Sequence, residues 1–104
     1  MARMYALILD HGPEWDDARS LREQDDWNAH AAFMDALVDD GFIVLGGPIG
    51  DGSLVLHAVF AHDPDAIRAR LGADPWSGSR LRIVSIEPWS VLLDGRNRPA
   101  TGNG

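Results

Sequence analysis

A chain of 104 residues, 45% apolar and 24% charged, has the size and balance of one soluble domain with a single core. Nine basic against sixteen acidic residues leave a net charge of −7, which disfavours nucleic acid and anionic membranes as partners. Cysteine is absent and all nine basic residues are arginine, so disulfides, thiolate nucleophiles, Schiff-base lysines and a phosphate-loop lysine are excluded.

Met4 to Leu9 reads as a first strand, ended by Asp10-His11-Gly12-Pro13. This apolar run is too short for a signal-peptide core or a membrane span, so a cytoplasmic protein is expected. Glu14 to Asp26 reads as a polar loop with room for a helical turn. Asp25 and Asp26 stand where an N-cap and first helical turn belong. From Trp27 to Asp40 the apolar residues Phe33, Met34, Leu37 and Val38 recur at helical spacing, and Gly41 is placed to end that helix. Phe42 to Leu45 reads as a second strand closed by Gly46-Gly47-Pro48. Asp51-Gly52 marks a turn, and Leu54 to Ala61 a third strand, which predicts a hairpin. Asp63-Pro64 is a specific helix start, an N-cap followed by proline at the first helical position. That second helix is predicted to reach Leu71. Asp74 to Gly78 reads as a loop, Leu81 to Ile86 as a fourth strand, and Trp89 to Leu93 as an edge or an arm. Residues 94–104 are expected to form a flexible tail after one domain spanning residues 1–93.

The order strand, helix, strand, strand, helix, strand predicts an α+β fold. Two βαβ halves of this kind build a ferredoxin-like sandwich, a four-stranded antiparallel sheet with two helices on one face. A sheet with one wet face should alternate apolar and polar residues. The first strand is instead apolar throughout, and only His57 interrupts the third. Two short helices cannot cover both faces, so a homodimer packed sheet against sheet is expected.

His30 lies three, four and seven residues before Phe33, Met34 and Leu37, on their core-facing stripe. It reads either as a core histidine satisfied by backbone groups or as a partly buried imidazole at a pocket, suited to proton transfer. Asp74, before a proline, reads either as an Asx-type turn or as a carboxylate that orients an imidazole. With two helices side by side, the first turn of one can approach the loop leaving the other, which allows a His30–Asp74 pair. Trp76, beside Asp74, is the candidate pocket wall. The glycine-rich run Gly46 to Gly52 lacks dinucleotide-fingerprint spacing and instead suits close approach to a ligand or a neighbouring chain. His57 and His62, five apart on a strand, point to opposite faces and make a poor metal pair. Asp10-His11 with His30 falls short of a metal site, so no metal is expected.

His30 within a first helix, Gly41 after it, Gly46-Gly47-Pro48, Asp74-Pro75-Trp76 and Glu87-Pro88-Trp89 together resemble the YCII-related domain proteins, over about residues 3 to 93. That family belongs to the dimeric α+β barrel superfamily. The resemblance implies one pocket per subunit holding a His–Asp pair, here His30 and Asp74, with the Gly47-Pro48 turn beside it. It also implies proton-transfer chemistry on small cyclic, often aromatic compounds without metal or nucleotide: one relative type removes chloride from a chlorinated hydroxyquinol, and related barrels isomerise lactones or oxidise aromatic substrates. The turn between strands two and three is short, which is expected to leave one side of the pocket less covered.

The leading expectation is a small cofactor-independent enzyme in which His30 is the general base or acid and Asp74 fixes its tautomer. Elimination, isomerisation and ring opening all fit this equipment. Arg22, in the loop before the helix, would hold an anionic substrate, or is simply solvated. Two alternatives stand beside it: a non-catalytic small-molecule-binding or dimerising accessory protein, and a cofactorless monooxygenase.

Overall fold

The structure is a computed structural model and describes residues 1–96. The chain runs β1 (Arg3–His11), a 3-10 turn (Leu21–Glu23), α1 (Trp27–Asp39), β2 (Ile43–Ile49), β3 (Leu54–Ala61), α2 (Pro64–Leu71) and β4 (Leu81–Pro88). The four strands form one sheet in the order β2-β3-β1-β4, with every neighbouring pair antiparallel.

Strand periodicity divides this sheet into two unlike faces. Tyr5, Leu7 and Leu9 of β1 and Val55, His57 and Val59 of β3 are buried on one side. Their apolar members form one core with Leu37 of α1, Ile67 and Leu71 of α2, and Trp76. The intervening residues, Met4, Ala6 and Ile8 of β1 and Leu54, Leu56, Ala58 and Phe60 of β3, are only half-buried or exposed. The second face is thus apolar and left uncovered by the described residues. Trp89 reaches that face, where it borders a hollow with Leu45 and Ala58, and its N–H donates to the Met4 carbonyl at 3.0 Å. Residues 89 to 96 continue as an arm outside the sheet, with Leu92 and Leu93 each 90% exposed.

Several elements end differently from the sequence reading. Strand β2 does not stop at Gly46-Gly47-Pro48 but runs through it to Ile49. Proline lacks the N–H for a ladder, yet β2 is an edge strand with only β3 as neighbour, so Pro48 can pair with Val55. A register shift between Ile43 and Leu45 bulges the same strand. Asp26 does stand at the α1 N-cap position, but its φ of 63° is left-handed and its side chain makes no capping bond. Asp25 precedes the helix and pairs with Arg19 and Arg80. Val38 is exposed, so the inward stripe of α1 is His30, Phe33, Met34 and Leu37. The start of α2 follows the sequence signal closely: Asp63 accepts from the Ala66 N–H at 2.8 Å and Pro64 opens the helix. The expected tail lies, over residues 97–104, outside the described residues.

Leu7 is fully buried in the centre of the sheet, between His57 of β3 and Ile86 of β4. Leu7→Ala is therefore expected to cost about 2–5 kcal/mol in urea unfolding, whereas Val38→Ala is expected to stay within about 0.5 kcal/mol.

Candidate functional site

The site gathers at one end of the sheet, where β1 delivers His11 and α1 begins. Gly12 follows β1 so closely under the chain before β4 that a Cβ there would collide with the Ser79 carbonyl; its N–H donates to the Arg80 carbonyl at 2.9 Å. The loop after it turns back and is held by Gln24, which is buried. The Gln24 amide donates to the carbonyls of Asp16 at 2.8 Å and Arg19 at 3.1 Å and accepts from the Asp16 N–H. With a longer contact to the Ser20 carbonyl at 3.4 Å, one side chain thereby engages four backbone groups and fixes the loop that carries Trp15 and Leu21.

His30 occupies the first turn of α1, and Asp74 the turn leaving α2. They meet in the interior: His30 Nδ1 lies 2.8 Å from Asp74 Oδ1 and 3.0 Å from Oδ2. Both side chains are nearly closed to solvent, 8% and 3% exposed, so water does not compete for this contact. The Asx turn is present as well, because Asp74 Oδ1 accepts from the Trp76 N–H at 3.0 Å. The two sequence readings of Asp74 thus coexist: the same carboxylate folds its own turn and holds the imidazole. A carboxylate only accepts, so Nδ1 is the donor and carries a hydrogen. Nε2 has no protein partner among the described residues, and His30 lines a cavity of about 620 Å³.

Trp76 is not the pocket wall that the sequence suggested. It is completely buried and lies flat behind His30, with ring centroids 4.0 Å apart and planes within 5°. Its Nε1–H donates to the Asp25 carbonyl at 2.8 Å, which locks the indole in place. Trp76 therefore braces the imidazole from the side away from the cavity. The aromatic walls are instead Trp15, stacked on His11 at 3.8 Å, and Trp27. Leu21, Met34, Val55 and Leu81 add apolar surface.

Gly47 and Pro48 do line the cavity, as do Asp51, Gly52 and Ser53 of the turn between β2 and β3. Arg22 does not. The 3-10 turn directs Leu21 inward and leaves Arg22 exposed, with its guanidinium 5.7 Å over the outer Trp27 ring. His11 and His30 share the cavity, but among the described residues no three His, Asp or Glu side chains are grouped to hold a metal ion. No described helix is long and apolar enough to cross a membrane.

The sequence reading missed His57 as a site residue. It is buried on the core face of β3, lines the cavity, and leaves Nδ1 sealed without a hydrogen-bond partner among the described residues. Its register partner on β2 is Gly46, and a Cβ on Gly46 would collide with that Nδ1. Glycine at 46 makes room for the imidazole. Strand alternation with Val55 and Val59 was the available signal. No family model, curated protein or solved structure matches the chain.

Burial pushes His57 down from 6.5 to about 4, with His30 adding to the fall and Asp74 opposing it. Between those values the unfolded chain binds a proton that the folded chain refuses, so stability falls as pH drops across that window. At about 1.4 kcal/mol per pH unit the contribution approaches about 3 kcal/mol by pH 4. In urea unfolding at pH 7 and pH 4.5, His57→Phe should therefore lose about 2 kcal/mol less than the wild-type protein. Equal acid sensitivity would remove His57 as the cause.

Proposed function

We propose that this chain is a cofactor-independent acid–base enzyme of the YCII-related, ferredoxin-like kind, acting on a small cyclic or aromatic compound. The observation that carries the reading is the His30 ring itself, tied by Nδ1 to a buried carboxylate while it lines a cavity large enough for a ring-sized guest. With Nδ1–H committed to Asp74, Nε2 takes a proton from the guest, and the carboxylate faces the positive charge that forms. Trp76 keeps the ring plane fixed through the transfer. Apolar and aromatic walls suit a flat, mostly uncharged substrate. Elimination, isomerisation and ring opening each include such a proton transfer.

The working unit in this reading is a homodimer joined through the sheet faces. Leu45, Leu54 and Phe60 are exposed large hydrophobics on one continuous apolar face, and the arm carrying Trp89, Leu92 and Leu93 extends beside it. A second copy covers that surface with matching apolar surface, as a two-fold axis requires.

A panel of phenols, quinols and lactones, screened by tryptophan fluorescence and by ultraviolet turnover, tests the chemistry. His30→Gln and Asp74→Asn should each lower kcat on a turned-over compound by about a hundredfold or more while circular dichroism shows a folded protein. Undiminished turnover in His30→Gln would contradict the reading. The apolar cavity walls also favour a non-catalytic binding module, which predicts guests that bind without turnover and bind His30→Gln equally well. Sedimentation equilibrium should give twice the 11.3 kDa chain mass, and Phe60→Asp should give the monomer. A wild-type monomer at micromolar concentration would refute the dimer.

A further inference from the structure

We infer that His57 is a second working imidazole of this cavity, a neutral hydrogen-bond donor to a substrate carbonyl oxygen, which makes enolisable carbonyl compounds the substrate class. The inference rests on the acid–base reading of His30 and adds the group that reading lacks, one to receive the negative charge.

The geometry assigns the tautomer. His57 is 93% buried by its 7% residual exposure, and its Nδ1 is enclosed beside Gly46 with no partner among the described residues. A neutral imidazole must put its one hydrogen on Nδ1 or Nε2. On Nδ1 it would be a buried N–H with no acceptor, which folded proteins almost never tolerate; an unfilled lone pair is the milder defect. The hydrogen therefore sits on Nε2. Nε2 is not among the sealed, unpartnered atoms, and the ring lines the cavity, so the N–H is presented to a guest. Burial keeps the ring uncharged at neutral pH, with His30 and Asp74 as the charged or titratable groups acting on it. A neutral imidazole is a weaker acid than an imidazolium, so it donates a hydrogen bond to an oxyanion without surrendering its proton.

The cavity then holds two imidazoles of opposite function. His30 offers a lone pair at Nε2, because Asp74 takes its Nδ1–H; His57 offers an N–H at Nε2, because Gly46 shuts away its Nδ1. Such a pair fits one elementary step. His30 removes a proton from the carbon beside a carbonyl, the C–H electron pair becomes the enolate C=C, and the carbonyl π pair moves to oxygen. The enolate oxygen accepts from the His57 Nε2–H. His30 then returns the same proton to a different carbon of the conjugated enolate. The net change is an isomerisation that consumes no oxidant, reductant or co-reactant. Preorganised donors at a developing oxyanion are commonly the largest contribution to such steps.

Two measurements on the full chain test this. Long-range 1H–15N spectra of histidine-labelled protein at pH 7 should show His57 neutral with its hydrogen on Nε2, and His30 with hydrogen on Nδ1. A His57 hydrogen on Nδ1, or a cationic His57, overturns the inference; a His30 without the Nδ1 hydrogen fails the underlying acid–base reading instead. The second probe is 4-nitrophenol, whose yellow anion mimics an enolate oxygen on a ring. The wild-type protein should bind it as the anion, and His57→Leu should weaken that binding about tenfold or more. His57→Gln, whose amide N–H reaches the place of Nε2–H, should restore most of it. Absence of anion binding by the wild type, or unchanged binding in His57→Leu, contradicts a donor role for His57.

Discussion

A carboxylate and an imidazole, 44 residues apart in sequence, hold each other in a place almost without water, and the site is organised around that contact. Its strength comes from enclosure. A hydrogen bond to a charged acceptor gains when water cannot compete, and each partner becomes expensive to strand if the other is removed, by about 1–3 kcal/mol for a buried polar group left unsatisfied and more where that group is charged. Such a pair often contributes little net stability over an apolar replacement. What it supplies here is direction. Asp74 holds Nδ1 with both oxygens, Trp76 lies flat against the ring, and Trp76 is tied in turn to Asp74 by its backbone and to Asp25 by its indole. The imidazole is left with one nitrogen that no described residue engages.

The sheet supplies the rest of the cavity through its two-residue period. Val55, His57 and Val59 share one face of β3, so a polar ring enters an otherwise apolar floor in a fixed orientation. Facing it across the ladder, β2 carries glycine, and the loss of one side chain is what admits the imidazole. The same alternation sends Leu54, Leu56, Ala58 and Phe60 to the opposite face, which the described residues leave uncovered. One strand thus serves the pocket with its odd residues and an apolar outer surface with its even ones.

Legibility in the sequence followed how local each signal was. Asp63-Pro64 marked the start of α2 because the cap and the proline act within one turn. The four strands, two helices and antiparallel hairpin were readable from apolar period and turn residues. The extent of β2 was not, because Gly46-Gly47-Pro48 breaks a strand in isolation and is tolerated only at a sheet edge. Trp76 was readable as a neighbour of Asp74 but not as the plate behind His30, since its side is decided by the Asp25 carbonyl, 51 residues away. Arg22 looked available for an anion until a 3-10 turn pointed it outward over Trp27. His57 became visible only with the register that sets it against Gly46.

Neutron diffraction from deuterated crystals at neutral pH is the most direct test of the orientation on which this account depends. It should place a deuteron on His30 Nδ1, directed at Asp74, with the ring's other nitrogen turned to the cavity. A deuteron absent from Nδ1, or an Asp74 carboxylate rotated away from the ring, would contradict it.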